Sequence, residues 1–170
     1  MKAFPFALAV LATLHASLLR AQPASPAAST YTITLMSPEL ALQAAQAAMR
    51  ACRQTGYQVS VAVVDRTGQT QVLLRDRLAG THTADAATDK AWTAASFKTG
   101  TTALAKATMS GTDAAGIRHI PRALAVGGGM PIEANGSLLG AIGISGAPSG
   151  AADDACARSG LAAIADDLNF

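Results

Sequence analysis

The 170-residue sequence predicts an α+β sandwich, an antiparallel sheet of about five strands flanked by helices. The strongest observation is the order of patterns along the chain: helix, hairpin, helices, a second hairpin group, and a last helix. Strands joined by short turns are antiparallel neighbours, which favours this class over a parallel doubly wound sheet. Alanine supports it, since 40 of the residues are Ala and small side chains let helices approach closely. Half of the residues are hydrophobic and 14% are charged, which excludes a disordered polyelectrolyte, and the composition is not that of collagen.

The first segment reads as a secretory signal peptide over residues 1–21. Lys2 is the positive start, Ala3 to Leu19 is largely apolar, and Arg20-Ala21 precedes the cut. Removing it takes Lys2 and Arg20 from the 13 basic residues, leaving 11 against 11 acidic ones. The mature chain is then neutral, with nothing to steer it toward nucleic acid or an anionic membrane. Of the 3 histidines only His82 and His119 remain after His15 is removed. Export implies a periplasmic or secreted location, where Cys52 and Cys156 meet oxidising conditions. They fall on separate expected helices and either bridge them or stay as two buried small hydrophobes.

Residues 22–34 form a linker that runs into a short extended piece, Tyr31 to Leu35, and the domain occupies 35–170. Ser37-Pro38-Glu39 starts a helix with a capping hydroxyl, a proline in the first turn and an acid at the positive end. It runs to about Gln54 and stops at Gly56, with Leu40, Ala44, Ala47, Ala48 and Ala51 as its buried stripe. Tyr57 to Val64 is a strand, Asp65 to Gly68 turns it, and Gln71 to Arg75 returns. A helix spans about Thr83 to Lys98, burying Ala84, Ala87, Ala91, Ala94 and Ala95, and a short one follows from Thr102 to Met109. Arg118 to Val126 passes from loop into strand. Met130 to Glu133 is extended, Asn135-Gly136 is a hairpin turn, and Ser137 to Ser145 is the returning strand. Asp153-Asp154 open the last helix as acids at its positive end, with Leu161, Ile164 and Leu168 as its stripe.

The sequence lacks a His-Glu-x-x-His helix, a Cys-x-x-Cys pair, a Gly-x-Ser-x-Gly elbow and a Walker loop. His82 is the most informative single residue. At a positive helix end an imidazole tends to stay neutral and keep a lone pair for a metal, with Asp85 and Asp89 as supporting acceptors or iron ligands. The bland alternative is a surface histidine beside a cap. Gly127-Gly128-Gly129-Met130 either forms a backbone nest for an anion or flat ligand, or is a bulge that bends the sheet. Met130 is an axial sulfur candidate or core filler. Lys90 and Trp92 either line a cleft or form a solvated face and a core aromatic.

Several segments occur in order: Val63-Val64-Asp65-Arg66-Thr67-Gly68, Gly80-Thr81-His82-Thr83, Asp89-Lys90-Ala91-Trp92-Thr93-Ala94 and Gly127-Gly128-Gly129-Met130-Pro131-Ile132. Gly140-Ala141-Ile142-Gly143-Ile144-Ser145-Gly146 and Asp153-Asp154-Ala155-Cys156-Ala157 follow. Across roughly residues 35–168 this resembles the GlcG/HbpS family of haem-binding proteins. The resemblance implies a profilin-like sandwich, haem as cofactor with iron binding or haem degradation in some members, and homo-oligomers that include octamers. Some relatives serve a membrane sensor kinase; neither nucleic acid nor membrane insertion of the mature chain is implied. Carried over residue by residue, it raises His82 as axial ligand, with Asp85 or Asp89 as iron-binding groups. Lys90, Gly128, Gly129 and Met130 match family positions and belong to the fold or the cofactor pocket. The expected function is an exported, noncatalytic haem-binding protein. The alternative is an enzyme or enzyme accessory acting on a small hydroxy or keto acid, whose carboxylate Lys90 and the glycine loop would receive.

Overall fold

A computed structural model describes residues 29–168, so the expected signal peptide and most of the linker lie outside the described residues. All the regular elements belong to the compact unit that begins at Ile33. Helix α1 spans Pro38–Gln54, strands β1 and β2 span Ser60–Asp65 and Thr70–Arg75, and α2 and α3 span Thr83–Phe97 and Thr101–Ala107. Strands β3 (Gly129–Ala134) and β4 (Ser137–Ser145) then lead to α4, Gly150–Ala162. No helix among the described residues is long and apolar enough to cross a membrane.

The strands form one antiparallel sheet in the order β2-β1-β4-β3. Four strands stand where about five were expected. Tyr31 to Leu35 is exposed and forms no strand. Arg118 to Val126 is also not a strand; it begins within a 3-10 turn, Ala115–His119, and is tied down by side chains. Arg118 donates to the Thr108 and Ala105 carbonyls, and the Leu124 amide donates to the Thr93 hydroxyl at 2.8 Å. With its polar backbone groups held this way, the segment does not need a ladder.

Alternation along the central strands separates two cores. Val61, Val63, Ile142 and Ile144 face α1 and α4, while Ala62, Val64 and Ala141 face the alanines of α2. Helix α2 lies so close that a Cβ on Gly143 would collide with the Ala87 carbonyl oxygen. That contact explains the glycine in mid-strand. On the other face the Ser37 hydroxyl caps α1 by accepting from the Leu40 amide at 3.2 Å. The stripe that α1 buries is Ala41, Ala44, Ala45, Ala48, Met49 and Cys52, rotated from the expected one; Leu40, Ala47 and Ala51 are only partly covered. Cys52 and Cys156 form a disulfide that joins α1 to α4 across a sequence separation of 104, with Cα atoms 5.5 Å apart.

Candidate functional site

One end of the sandwich carries an open cleft of about 360 Å³. Its walls come from the start of α2 (Gly80, His82, Thr83), Val126 of the irregular loop, the end of β4 and the start of α4 (Ser145 to Ala147, Ser149, Gly150), with Lys90 and Asp153 among the wall residues. The first turns of two helices therefore help to form the same hollow. Each presents backbone N–H groups that have no partner within the helix, a setting that favours negatively charged groups.

His82 stands at the N-cap of α2, exposed, and its side chain makes no capping hydrogen bond. Glycine at position 80 makes room for the ring: a Cβ there would sit 2.8 Å from His82 Cε1. Thr83 turns inward instead, its hydroxyl bonded to the Gly80 carbonyl and paired with Ser60 Oγ at 2.8 Å. The two adjacent side chains thus divide the work, one fixing the helix start and the other facing the cleft.

Lys90 is buried on α2, and its ammonium makes two buried interactions. Nζ lies 2.8 Å from Asp153 Oδ2 and donates to the Ile144 carbonyl at 2.9 Å. Asp153 in turn accepts from the Ala147 amide. Burial pushes the Asp153 carboxyl up, against the opposing hydrogen bond and charge of Lys90. Asp154 accepts from the Gly128 amide at 2.6 Å and from the Thr102 hydroxyl at 2.6 Å. Neighbouring carboxylates on α4 therefore fasten two different segments, the α2–β4 seam and the glycine loop. Both were expected to open the helix as acids at its positive end; the helix in fact starts earlier, at Gly150 behind the Ser149 cap, and both are buried.

The other expected site residues lie apart from the hollow. Gly128 and Gly129 are buried, and a Cβ on Gly128 would stand 3.0 Å from Lys90 Nζ and 2.5 Å from the Ile144 carbonyl. They let α2 and α4 close over the sheet. Met130 is half-buried against the α1–α4 core. Asp85 is exposed, and Asp89 pairs with Arg122 at 3.1 Å while that guanidinium lies 5.1 Å from the Trp92 ring centre. Among the described residues no group of three or more His, Cys, Asp or Glu is placed to hold a bare metal ion. His119 ends the exposed 3-10 turn. Sequence reasoning missed Ser149, Gly150 and Val126 as wall residues; the Ser-Gly pair was a readable helix start.

With this geometry in hand, residues 36–162 match the model of the family described as haem degrading protein HbpS-like. The chain belongs to that family. The crystal structure of a double mutant of Streptomyces reticuli HbpS is 40% identical, with a TM-score of 0.75 over 84% of this chain and 97% of that one. A crystal structure of a PduOC:heme complex is 30% identical, with a TM-score of 0.72 over 77% of this chain and 96% of that chain. An uncharacterised 15.0 kDa protein from the dhaT-dhaS intergenic region of Citrobacter freundii is 32% identical over 117 residues, covering 68% of this chain and 80% of that protein. In the HbpS-like frame, the cleft is formed by the segments that the sequence resemblance singled out around Gly80 and Ser145.

Proposed function

We propose that the protein binds haem in the cleft beside His82, with the imidazole as axial ligand to the iron. Membership in the HbpS-like family and the haem complex of a relative support a haem-related function. The observation that carries the site is an exposed histidine, without a capping bond, at the mouth of a cleft with apolar surface from Val126 and Ala147. The donor set fits the group: a neutral imidazole suits haem iron, and helix N-terminal turns favour carboxylates such as those haem carries. Bound haem supplies a redox-active iron centre. The protein's own residues orient the ring of His82 over Gly80 and hold the cleft wall through Lys90–Asp153.

The proposal includes export to a periplasmic or secreted location and assembly into a homo-oligomer. The disulfide supports an oxidising compartment. The small-acid reading has less support, because the Lys90 charge is already paired with Asp153 and its ammonium also donates to the Ile144 carbonyl. A haemin titration of the mature protein, followed at the Soret band beside His82→Ala and His119→Ala, tests the reading. A saturable shift lost only in His82→Ala is expected. No saturable shift in the wild type removes haem from the account, and an unchanged shift in His82→Ala removes the ligand assignment.

A further inference from the structure

A second hollow, of about 380 Å³, lies between the end of α1 and the start of α4. Ala51, Gln54 and Tyr57 line one side and Ala152, Ala155 and Ser159 the other; Cys156 is also part of its wall, whereas Cys52 is wholly buried and absent from it. The two halves of the bridge are therefore unequal: both are buried, but Cys156 borders the hollow and keeps 4% exposure, and Cys52 has none.

The position of the bridge along the helix pair gives this inequality a consequence. Helices α1 and α4 run antiparallel. Toward one end they are held by close packing of Gly160 against Ala44 and Ala48, and by Gln43 donating to the Ala163 carbonyl at 2.9 Å. Toward the other end the link is the disulfide. Beyond it, the first turn of α4 is held by Asp153, whose bonds to Lys90 and Ala147 support the wall of the first cleft, and by Asp154, whose bonds to Thr102 and Gly128 hold the glycine loop. Opening the bridge removes the covalent restraint at the end of α4 that supports that wall and leaves the packing at the far end in place.

We infer that Cys156 is a site of thiol–disulfide exchange with a small thiol, and that opening the bridge loosens the first turn of α4. The thiolate of the small molecule attacks Cys156 Sγ, the Cys52–Cys156 bond breaks, and Cys52 leaves as a thiolate that takes a proton from water. A second small thiol then attacks the mixed disulfide and releases Cys156, so two thiols are oxidised to one disulfide as the protein gains two thiols. The inference does not depend on haem.

The test incubates the native, oxidised protein with millimolar reduced glutathione, traps thiols with an alkylating reagent and maps peptides. Glutathione on Cys156, with Cys52 as the alkylated thiol, is the expected result. Glutathione found on Cys52, or no exchange until denaturant is added, overturns the site. Hydrogen exchange reads the coupling, with Cys52→Ala/Cys156→Ala as a permanently open form beside the reduced wild type. Peptides carrying the Gly128 and Ala147 amides should be accelerated at least about tenfold more than β1 and β4 peptides, whose protection falls only with the global stability that the bridge supplied. Unchanged exchange at Gly128 and Ala147, or equal acceleration throughout the sheet, overturns the coupling. Haem affinity measured on the same samples bears separately on the haem reading.

Discussion

Replacing Lys90 by Met separates a fold role for this lysine from a ligand role. The residue is 4% exposed, and its ammonium makes one ion pair and one carbonyl hydrogen bond, both buried. Methionine fills most of the same space without charge, so the change removes those two interactions and leaves the Asp153 carboxylate buried without its counter-ion. Losing one partner of a buried pair costs about 3–5 kcal/mol. For a chain of this size that corresponds to a melting point lower by roughly 10–15 °C. The penalty should depend on pH. Burial already raises the Asp153 carboxyl above the ordinary 3.8, and without Lys90 nothing opposes it from the cation side. A carboxyl raised in the folded state favours the protonated form, so the variant keeps its stability at low pH and loses it as pH rises through the folded value. The gap to wild type should therefore widen in urea titrations as pH rises above the ordinary carboxylate range. Adding Asp153→Asn, which still accepts from the Ala147 amide, should recover at least about 1 kcal/mol relative to the sum of the single changes. A gap below about 1 kcal/mol at every pH would refute the argument, and loss of haem uptake without loss of stability would assign Lys90 to the ligand instead.

Reducing the disulfide, which closes a loop with a sequence separation of 104, should lower stability by about 4–5 kcal/mol in the chain-entropy account, read as a shift in urea midpoint. Gly143→Ala places a methyl group on the Ala87 carbonyl and should cost at least about 2 kcal/mol in thermal unfolding, since a backbone cannot rotate away. Gly80→Ala presses on the His82 ring and should weaken haem binding about tenfold with a shifted Soret band, while the melting point barely changes. Asp65 behaves oppositely to Asp153: burial works against its charge, but hydrogen bonds from Thr67 and Gln69 outweigh that and lower its carboxyl below 3.8. Its contribution is present above that value and lost as pH falls through the folded one, so Asp65→Asn should flatten the acid limb of the stability profile.

Local chemistry made most of the elements readable. Ser37-Pro38 marked the start of α1 because a capping hydroxyl and a fixed proline φ act within one turn. Asn135 and Gly136 both adopt positive φ, as the hairpin signal required, and β4 begins and ends where its apolar run does. The buried stripe of α1 was harder to read, because alanine on nearly every side of a helix leaves little contrast between faces. What decided it was packing against α4 and the sheet, with Met49 and Cys52 inward. The extra strand near Arg118 failed for a similar reason: its apolar residues are real, but bonds from Arg118 and to Thr93 hold it as a loop. In the site, His82 was legible from its place before a helix. The pairing of Lys90 with Asp153, 63 positions away, depended on the completed sheet and on where α4 starts.

The strand order places β1 and β4 side by side at the centre, with Ser60 opposite Ser145. No early fragment of the chain holds that pair, so the hollow beside His82 comes into being only when the last strand arrives. Pairings of such long separation delay folding, since the intervening chain must be gathered before they reward it. The consequence is that occupancy and assembly report on one another. A ligand in the hollow withdraws the complete molecule from the unfolding equilibrium and adds RT ln(1 + [L]/Kd) to its stability, whereas a chain truncated before Ser145 has no receptor to offer.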